Sequence, residues 1–112
     1  MTTKTKLPEG VTPEMVAGYK ERHGEKNVKL AILMDEDGNE LRQEIVRVPD
    51  RKTLGEFEKW LDKQPLKAKE ILVQNCVLTN KEAIKAEDIL FSAAYNALIE
   101  LIPVGKFKLA DL

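Results

Sequence analysis

The apolar and polar positions of this chain alternate most regularly between residues 28 and 48. The first part of that stretch has an apolar side chain at every second position, namely Val28, Leu30, Ile32 and Met34. The segment DEDGN follows, and its Asp37-Gly38 pair tolerates the positive φ angles of a tight turn. The pattern predicts a β-hairpin whose turn lies near residues 35–39. Its second strand ends at Pro49, which cannot donate to a ladder.

The residues before the hairpin predict a short helix that follows an arm. Thr12 is a suitable N-cap, Pro13 suits the first helical position, and Gly24 is a stop signal. Residues 1–12 are polar and contain proline and glycine, so we expect a flexible arm there.

Helical spacing dominates after the hairpin. Thr53 and Glu56 have the spacing of a capping box, which predicts a helix capped by Thr53. Pro65 ends that helix and begins another. Each helix has one apolar face: Leu54, Phe57, Trp60 and Leu61 in the first, and Ala68, Ile71, Leu72 and Cys76 in the second.

The last third of the chain contains its most apolar run. LTNKEAIKAED is a polar break with room for one helical turn, and residues 89–102 are then apolar nearly all round. Such a helix is typical of a central core element or of an oligomer contact. Pro103 and Gly105 end it. The final KFKLADL alternates apolar and polar positions, which predicts either a short strand or a tail docked on the core.

The order of these elements predicts an α+β fold. The N-terminal short helix and β-hairpin would pack on a C-terminal bundle of about three helices. A two-stranded ribbon alone is marginally stable, so it must pack on the helices or pair with another copy. Because the chain has 112 residues and is 43% hydrophobic, we expect a single domain over residues 13–112.

Charge is balanced along the chain, with 18 lysines and arginines against 19 aspartates and glutamates. A duplex-binding domain usually has a basic excess, so a nucleic-acid partner is not expected. A mildly basic cluster does occur on and after the second strand, at Arg42, Arg47, Arg51 and Lys52. Acidic residues are interspersed among its members, which favours a solvated mixed face.

Few residues offer chemistry. Cys76, the only cysteine, lies toward the end of a predicted helix, where the helix dipole disfavours a thiolate, so we predict that it packs in the core. His23, the only histidine, falls at a helix end that favours cations, and we predict a solvated residue there. DEDGNE lacks the glycine and glutamate spacing of a calcium loop. We expect no enzymatic activity, no cofactor and no metal.

The sequence has no feature of a secreted or membrane-spanning protein. MTTKTKLPEG lacks the apolar segment of a signal peptide, and the run at 89–104 is too short and too interrupted to span a bilayer comfortably. We therefore expect a cytoplasmic protein that does not contact a membrane.

A hairpin of the form DEDGNE…VRVP precedes a helical region with a recognisable order of residues: Lys67, Ala68, Glu70, Leu72, Asn75, Cys76, Asp88 and Leu90. Over residues 28–112 this order resembles small proteins of phage and prophage tail gene clusters, of the tail-assembly-chaperone type. Three places depart from the pattern. Val77 stands where tryptophan is expected, Leu78-Thr79-Asn80 replaces a glycine-containing turn, and Gln64-Pro65 replaces Asp-Pro.

The resemblance implies a non-enzymatic assembly protein of the host cytoplasm that binds other proteins and forms homo-oligomers. Its implied partners are tape-measure or tail-tube proteins, whose apolar helices it would shield by offering an apolar surface. The candidate protein-binding residues, each of which could instead be core, are Leu54, Phe57, Trp60, Leu61, Leu90, Tyr95 and Leu98. The alternative functions are a small nucleic-acid-associated or regulatory protein of a mobile element, and an enzyme that uses Cys76.

Overall fold

The computed structural model describes residues 7–112. In chain order they form α1 (Pro13–His23), a 3₁₀ turn (Glu25–Asn27), β1 (Val28–Met34), β2 (Glu40–Arg47), α2 (Arg51–Leu61), α3 (Pro65–Cys76), α4 (Lys81–Ala86) and α5 (Asp88–Leu101). The predicted α+β class is confirmed, because the hairpin packs on the helices that follow it, chiefly on α5. None of the helices within residues 7–112 has the length and apolar character needed to cross a membrane.

The hairpin forms where the alternation predicts it. Its two strands run antiparallel, with Val28 opposite Arg47 and Leu33 opposite Arg42, and the register shifts between Leu33 and Met34. Gly38 has a φ of 83°, which only glycine adopts without strain.

The hairpin face that packs in the core is the one to which β1 contributes fewer apolar side chains. Ala31 and Leu33 are buried, whereas Ile32 and Met34 are exposed on the opposite face. The alternation therefore identified the strand, but the covering helix decided which face became core.

Of the two predicted N-caps, the structure confirms one and corrects the other. The predicted cap of α1 is confirmed, since the Thr12 hydroxyl accepts a hydrogen bond from the Met15 N–H at 3.2 Å. The predicted Thr53 cap of α2 is wrong. Asp50 is the N-cap, and its carboxylate accepts the Thr53 N–H at 2.8 Å, while Thr53 itself is buried in the first turn.

The core lies between the hairpin, α3 and α5. It is almost entirely aliphatic, and its members with no exposed surface are Ala68, Leu72, Val73, Cys76, Val77, Ile84 and Leu98. The polar break holds α4, whose Ile84 is one of these residues. Phe57 adds the one buried aromatic ring among the described residues.

The two ends of the described chain differ. Residues 1–6 of the predicted arm lie outside the described residues. Pro8 is buried, and the carbonyl of Glu9 accepts a hydrogen bond from Asn80 Nδ2 at 3.1 Å, so this part of the arm lies against the fold. Residues 103–112 form neither the predicted strand nor a docked tail, because they have no regular secondary structure and are exposed throughout.

Candidate protein-binding groove

A groove runs along the outer side of α3, between that helix and the α4–α5 segment. It encloses about 290 Å³, and Lys67, Glu70, Ile71, Gln74, Asn75, Lys85 and Phe91 line it. An adjoining depression of about 260 Å³ continues it past Leu66 and Asp88. We call these two depressions together the α3–α5 groove.

The local sequence explains why this side of α3 is left uncovered. Pro65 occupies the first helical position, where its missing N–H costs nothing. Ala68, Leu72 and Cys76 then face the core at a helical spacing, which turns Leu66 and Glu70 outward. Leu66, near the start of α3, is 63% exposed beside the groove.

The groove has an apolar floor and a rim of mixed charge. Ile71 and Phe91 are partly buried along it, and Lys67, Glu70, Lys85 and Asp88 surround them. The Lys85 ammonium donates to Gln74 Oε1 at 3.0 Å and so links α4 to α3 across one end. Such a surface suits an amphipathic helix, because the floor takes apolar side chains and the rim takes charges of either sign.

The seven predicted protein-binding residues fall into three environments. Phe57, Leu90 and Leu98 are core residues, so a partner cannot reach them in this conformation. Leu54, Trp60 and Tyr95 are partly buried and pack against the core cluster. Leu61 is exposed, at the end of α2.

The partly buried aromatic residues are held by neighbours. The Lys67 ammonium lies 3.6 Å from the centroid of the Trp60 ring, and the Lys69 ammonium lies 5.2 Å from that of Tyr95. The Tyr95 ring also lies 6.3 Å from the Phe57 ring, in a tilted arrangement. These contacts favour core packing of α2 against α3 and α5 over free recognition surfaces.

Sequence reasoning did not select Leu66, Ile71 or Phe91 as binding residues. The helical spacing predicts Ile71 on the core face of α3, and Phe91 belongs to a helix that is apolar nearly all round. The available signal is Leu66, which stands outside the i, i+4, i+8 spacing of Ala68, Leu72 and Cys76.

The basic cluster does not form one surface. Arg42 Nε is bound to the buried Glu44 carboxylate. Arg47 donates to the Asn75 carbonyl at 2.9 Å and to the Thr53 hydroxyl at 3.1 Å, and it pairs with Asp50 at 3.2 Å. Only Arg51 and Lys52, at the start of α2, remain exposed among the four.

Glu44 is a buried carboxylate that joins distant segments. Its side chain is 1% exposed, and its Oε1 accepts from the Thr79 hydroxyl at 2.7 Å and from Asn80 Nδ2 at 2.9 Å. Together with the Arg42 contact, these bonds satisfy a charge that would otherwise be costly to bury. The arrangement fastens the α3–α4 connection to β2.

Cys76 is a core residue at the end of α3. It has no exposed surface, and burial raises the pKa of its thiol to about 11. A thiol of this kind is protonated near neutral pH and is a poor nucleophile, as the packing interpretation predicts.

His23 is only partly exposed rather than fully solvated. Partial burial, and then the nearby guanidinium groups of Arg47 and Arg22, lower its pKa below the ordinary value. Burial first, and then the neighbouring guanidinium groups, therefore outweigh the preference of a helix end for a cation.

The hairpin turn binds its own backbone. Asp35 Oδ1 accepts the N–H groups of Asp37 and Asn39 at 2.9 Å each, and the hydrogen bonds from Asn39 hold the pKa of Asp35 below its ordinary value. Within residues 7–112, histidine, cysteine and carboxylate side chains form no group of three or more that could hold a metal ion.

Comparison of the chain with protein-family models, with curated proteins and with solved structures found no match.

Proposed function

We propose that this chain is a non-enzymatic phage or prophage assembly protein, of the tail-assembly-chaperone type. Its action is to bind an amphipathic helix of a structural partner, such as a tape-measure protein, in the α3–α5 groove. The observation that carries the proposal is the exposed Leu66 at the mouth of a groove with an apolar floor and a mixed-charge rim. The site of action is the host cytoplasm, where tail subunits assemble.

The groove supports helix binding on energetic grounds. Full burial of a leucine side chain contributes about 1.5–3 kcal/mol, and Leu66 is mostly exposed in the free chain. Partly buried Ile71 and Phe91 gain less each, but they give the helix a continuous apolar line to follow. The rim charges then select the register of a partner whose polar face has complementary charges.

The alternative of nucleic-acid binding has weaker support. Arg42 and Arg47 are engaged with Glu44 and Asp50, so a phosphate would have to compete with intramolecular carboxylates. A test is binding of a duplex DNA fragment over a range of salt concentrations. A steep loss of affinity with salt would favour this alternative over the groove.

The direct test uses labelled helical peptides that span a phage tape-measure protein, with fluorescence anisotropy as the readout. At least one peptide is expected to bind, and Leu66→Glu should weaken it about ten- to hundredfold, which corresponds to the burial of one leucine. Met15→Glu is the matched control, because Met15 is also exposed but lies on α1. Equal affinities for the parent chain and Leu66→Glu would overturn the proposal.

A further inference from the structure

The rest of the described fold pairs with one edge of the β-hairpin and leaves the other edge unpaired. On the β2 side, Val77 forms a bridge with Val46, and the Leu78 N–H donates to the Ile45 carbonyl at 2.9 Å. The Ile45 N–H in turn donates to the Thr79 hydroxyl at 2.9 Å. Residues 77–79 thereby occupy this edge.

The β1 edge is open. Main-chain groups of directly opposite residues in an antiparallel pair point either at each other or both away. Ile45 points its N–H and carbonyl away from β1, so its opposite residue Leu30 points its own away from β2, and Ile32 does the same two positions later. Within residues 7–112 no strand pairs along this edge.

The open edge is also bordered by apolar side chains. Ile32 and Met34 are 47% and 49% exposed, on the hairpin face that α5 does not cover. An exposed edge strand with apolar side chains is a template for another strand, and natural proteins usually protect such edges with charges, bulges or a covering segment. The one lysine of β1, Lys29, lies at the far end from Ile32 and Met34. The register shift between Leu33 and Met34 places its extra residue, Leu41, on β2, so β1 itself has no bulge.

The segment that follows α5 has the features of a strand without a partner. Its large apolar side chains project into solvent, with Phe107 and Leu109 being 83% and 85% exposed. These two residues are two positions apart, so in a strand they lie on one face, with Lys106 and Lys108 on the other.

The edge and the segment are complementary in length and charge. Strands rise about 3.3 Å per residue, so residues 104–112 span about 30 Å and β1, with seven residues, about 23 Å. The segment carries Lys106 and Lys108 against one acidic side chain, Asp111. The turn that ends β1 carries Asp35, Glu36 and Asp37. Attraction between these opposite charges favours the first encounter of the two segments.

We propose that residues 104–112 of one copy add as a strand to the open β1 edge of a second copy. Phe107 and Leu109 then lie beside Ile32 and Met34, and the main-chain groups of Leu30 and Ile32 gain partners. This contact uses none of the α3–α5 groove, so it stands whether or not the groove binds a helix.

The test is a complementation of two full-length variants, measured by analytical ultracentrifugation. Phe107→Asp with Leu109→Asp disables the donor segment but leaves the edge intact. Ile32→Pro removes an outward N–H from the edge but leaves the donor segment intact, and it breaks no bond to β2. The parent chain is expected to exceed its monomer mass of 12.7 kDa, whereas each variant alone should remain monomeric.

An equimolar mixture of the two variants should form a dimer. One variant supplies the intact edge and the other supplies the intact segment, whereas neither variant has both. Three results would overturn the proposal: a monomeric parent chain, self-association of the donor variant (Phe107→Asp with Leu109→Asp), or a mixture that stays monomeric. If Ile32→Pro is unfolded by circular dichroism, Ile32→Lys with Met34→Lys replaces it, since edge lysines block strand addition without changing the backbone.

Leu66→Glu is the control that separates this contact from the proposed groove. It should weaken peptide binding and leave the parent association unchanged. Loss of association in Leu66→Glu would assign self-contact to the groove and overturn the strand addition. Hydrogen exchange gives a second readout, because the Leu30 and Ile32 amides should become protected in the associated chain but not in the donor variant.

Discussion

Asn80 donates a hydrogen bond to the buried carboxylate of Glu44 across 36 positions of sequence, at 2.9 Å. Asn80 also has a left-handed backbone, with a φ of 50°. One residue therefore supplies both a sharp turn between α3 and α4 and a partner for a buried charge. Asparagine tolerates this conformation better than most other residues with a side chain.

Substitutions at Asn80 should separate these two roles. Asn80→Gly keeps the turn and loses the bonds to Glu44 and to the Glu9 carbonyl, so the free energy of unfolding should fall by about 1–3 kcal/mol. Asn80→Ala also loses the easy left-handed conformation and should fall by about 1 kcal/mol more. Urea denaturation followed by circular dichroism measures both. Equal stability of the two variants would show that the backbone conformation contributes nothing.

Asp50 should stabilise the chain in a pH-dependent way. The hydrogen bond from the Thr53 N–H, together with Arg47, holds the pKa of Asp50 below its ordinary value of 3.8. A lowered pKa means that the folded state favours the carboxylate, so the stabilisation is present above pH 3.8 and is lost as the pH falls through the folded pKa.

Asp50→Ala should therefore lower the free energy of unfolding by about 1 kcal/mol at pH 7, the usual value of an N-cap. At pH 2–3 the difference from the parent chain should shrink. The control is Glu58→Ala, an exposed carboxylate on the same helix, which should change little at either pH. A difference for Asp50→Ala that grows on acidification would contradict the assignment.

Cys76 should be inert until the chain unfolds. Because its thiol is buried and its pKa is raised to about 11, a thiol reagent at pH 8 should label it far more slowly than it labels the chain in urea. The labelling rate should rise with urea in step with unfolding. Fast labelling of the native chain would revive the view of Cys76 as a nucleophile, as would loss of any measured activity in Cys76→Ser.

Trp60 should contribute to stability more than to partner binding. It packs against the core, so Trp60→Ala should cost about 2–3 kcal/mol, somewhat less than a fully buried tryptophan. Lys67→Met tests the contact above the ring and should cost about 0.5–1 kcal/mol. A stable Trp60→Ala chain that no longer binds the helical peptides would instead place Trp60 in the binding surface.

Elements governed by neighbouring residues could be predicted from the sequence. The hairpin turn needs Asp37-Gly38, and α1 needs Thr12 and Gly24, and all of these signals lie within a few residues of the element they define. Helix starts at which two neighbouring residues are both suitable N-caps were harder to predict. Asp50 and Thr53 are both good caps, and Asp50 prevailed because Arg47 and the Thr53 N–H both bind its carboxylate.

Features that depend on distant contacts could not be predicted. Glutamate is a residue type expected at solvent-facing positions. Besides the nearby Arg42, the burial of Glu44 depends on Thr79 and Asn80, which follow more than 30 positions later. The groove is similar, since Leu66 and Phe91 come together only once α3 and α5 have packed. The alternation of residues 106–112 was visible, but no local signal says which edge such a segment would meet.

The occupied β2 edge limits how many copies one molecule can bind by strand addition. Residues 77–79 close one side of the ribbon, so residues 7–112 of each copy provide a single acceptor edge and the one proposed donor segment. Contacts of this head-to-tail kind either close into a ring or continue as a filament, according to the rotation between successive copies. In the filament case growth is linear and has a direction, and a chain without its donor segment would bind at one end and stop further addition.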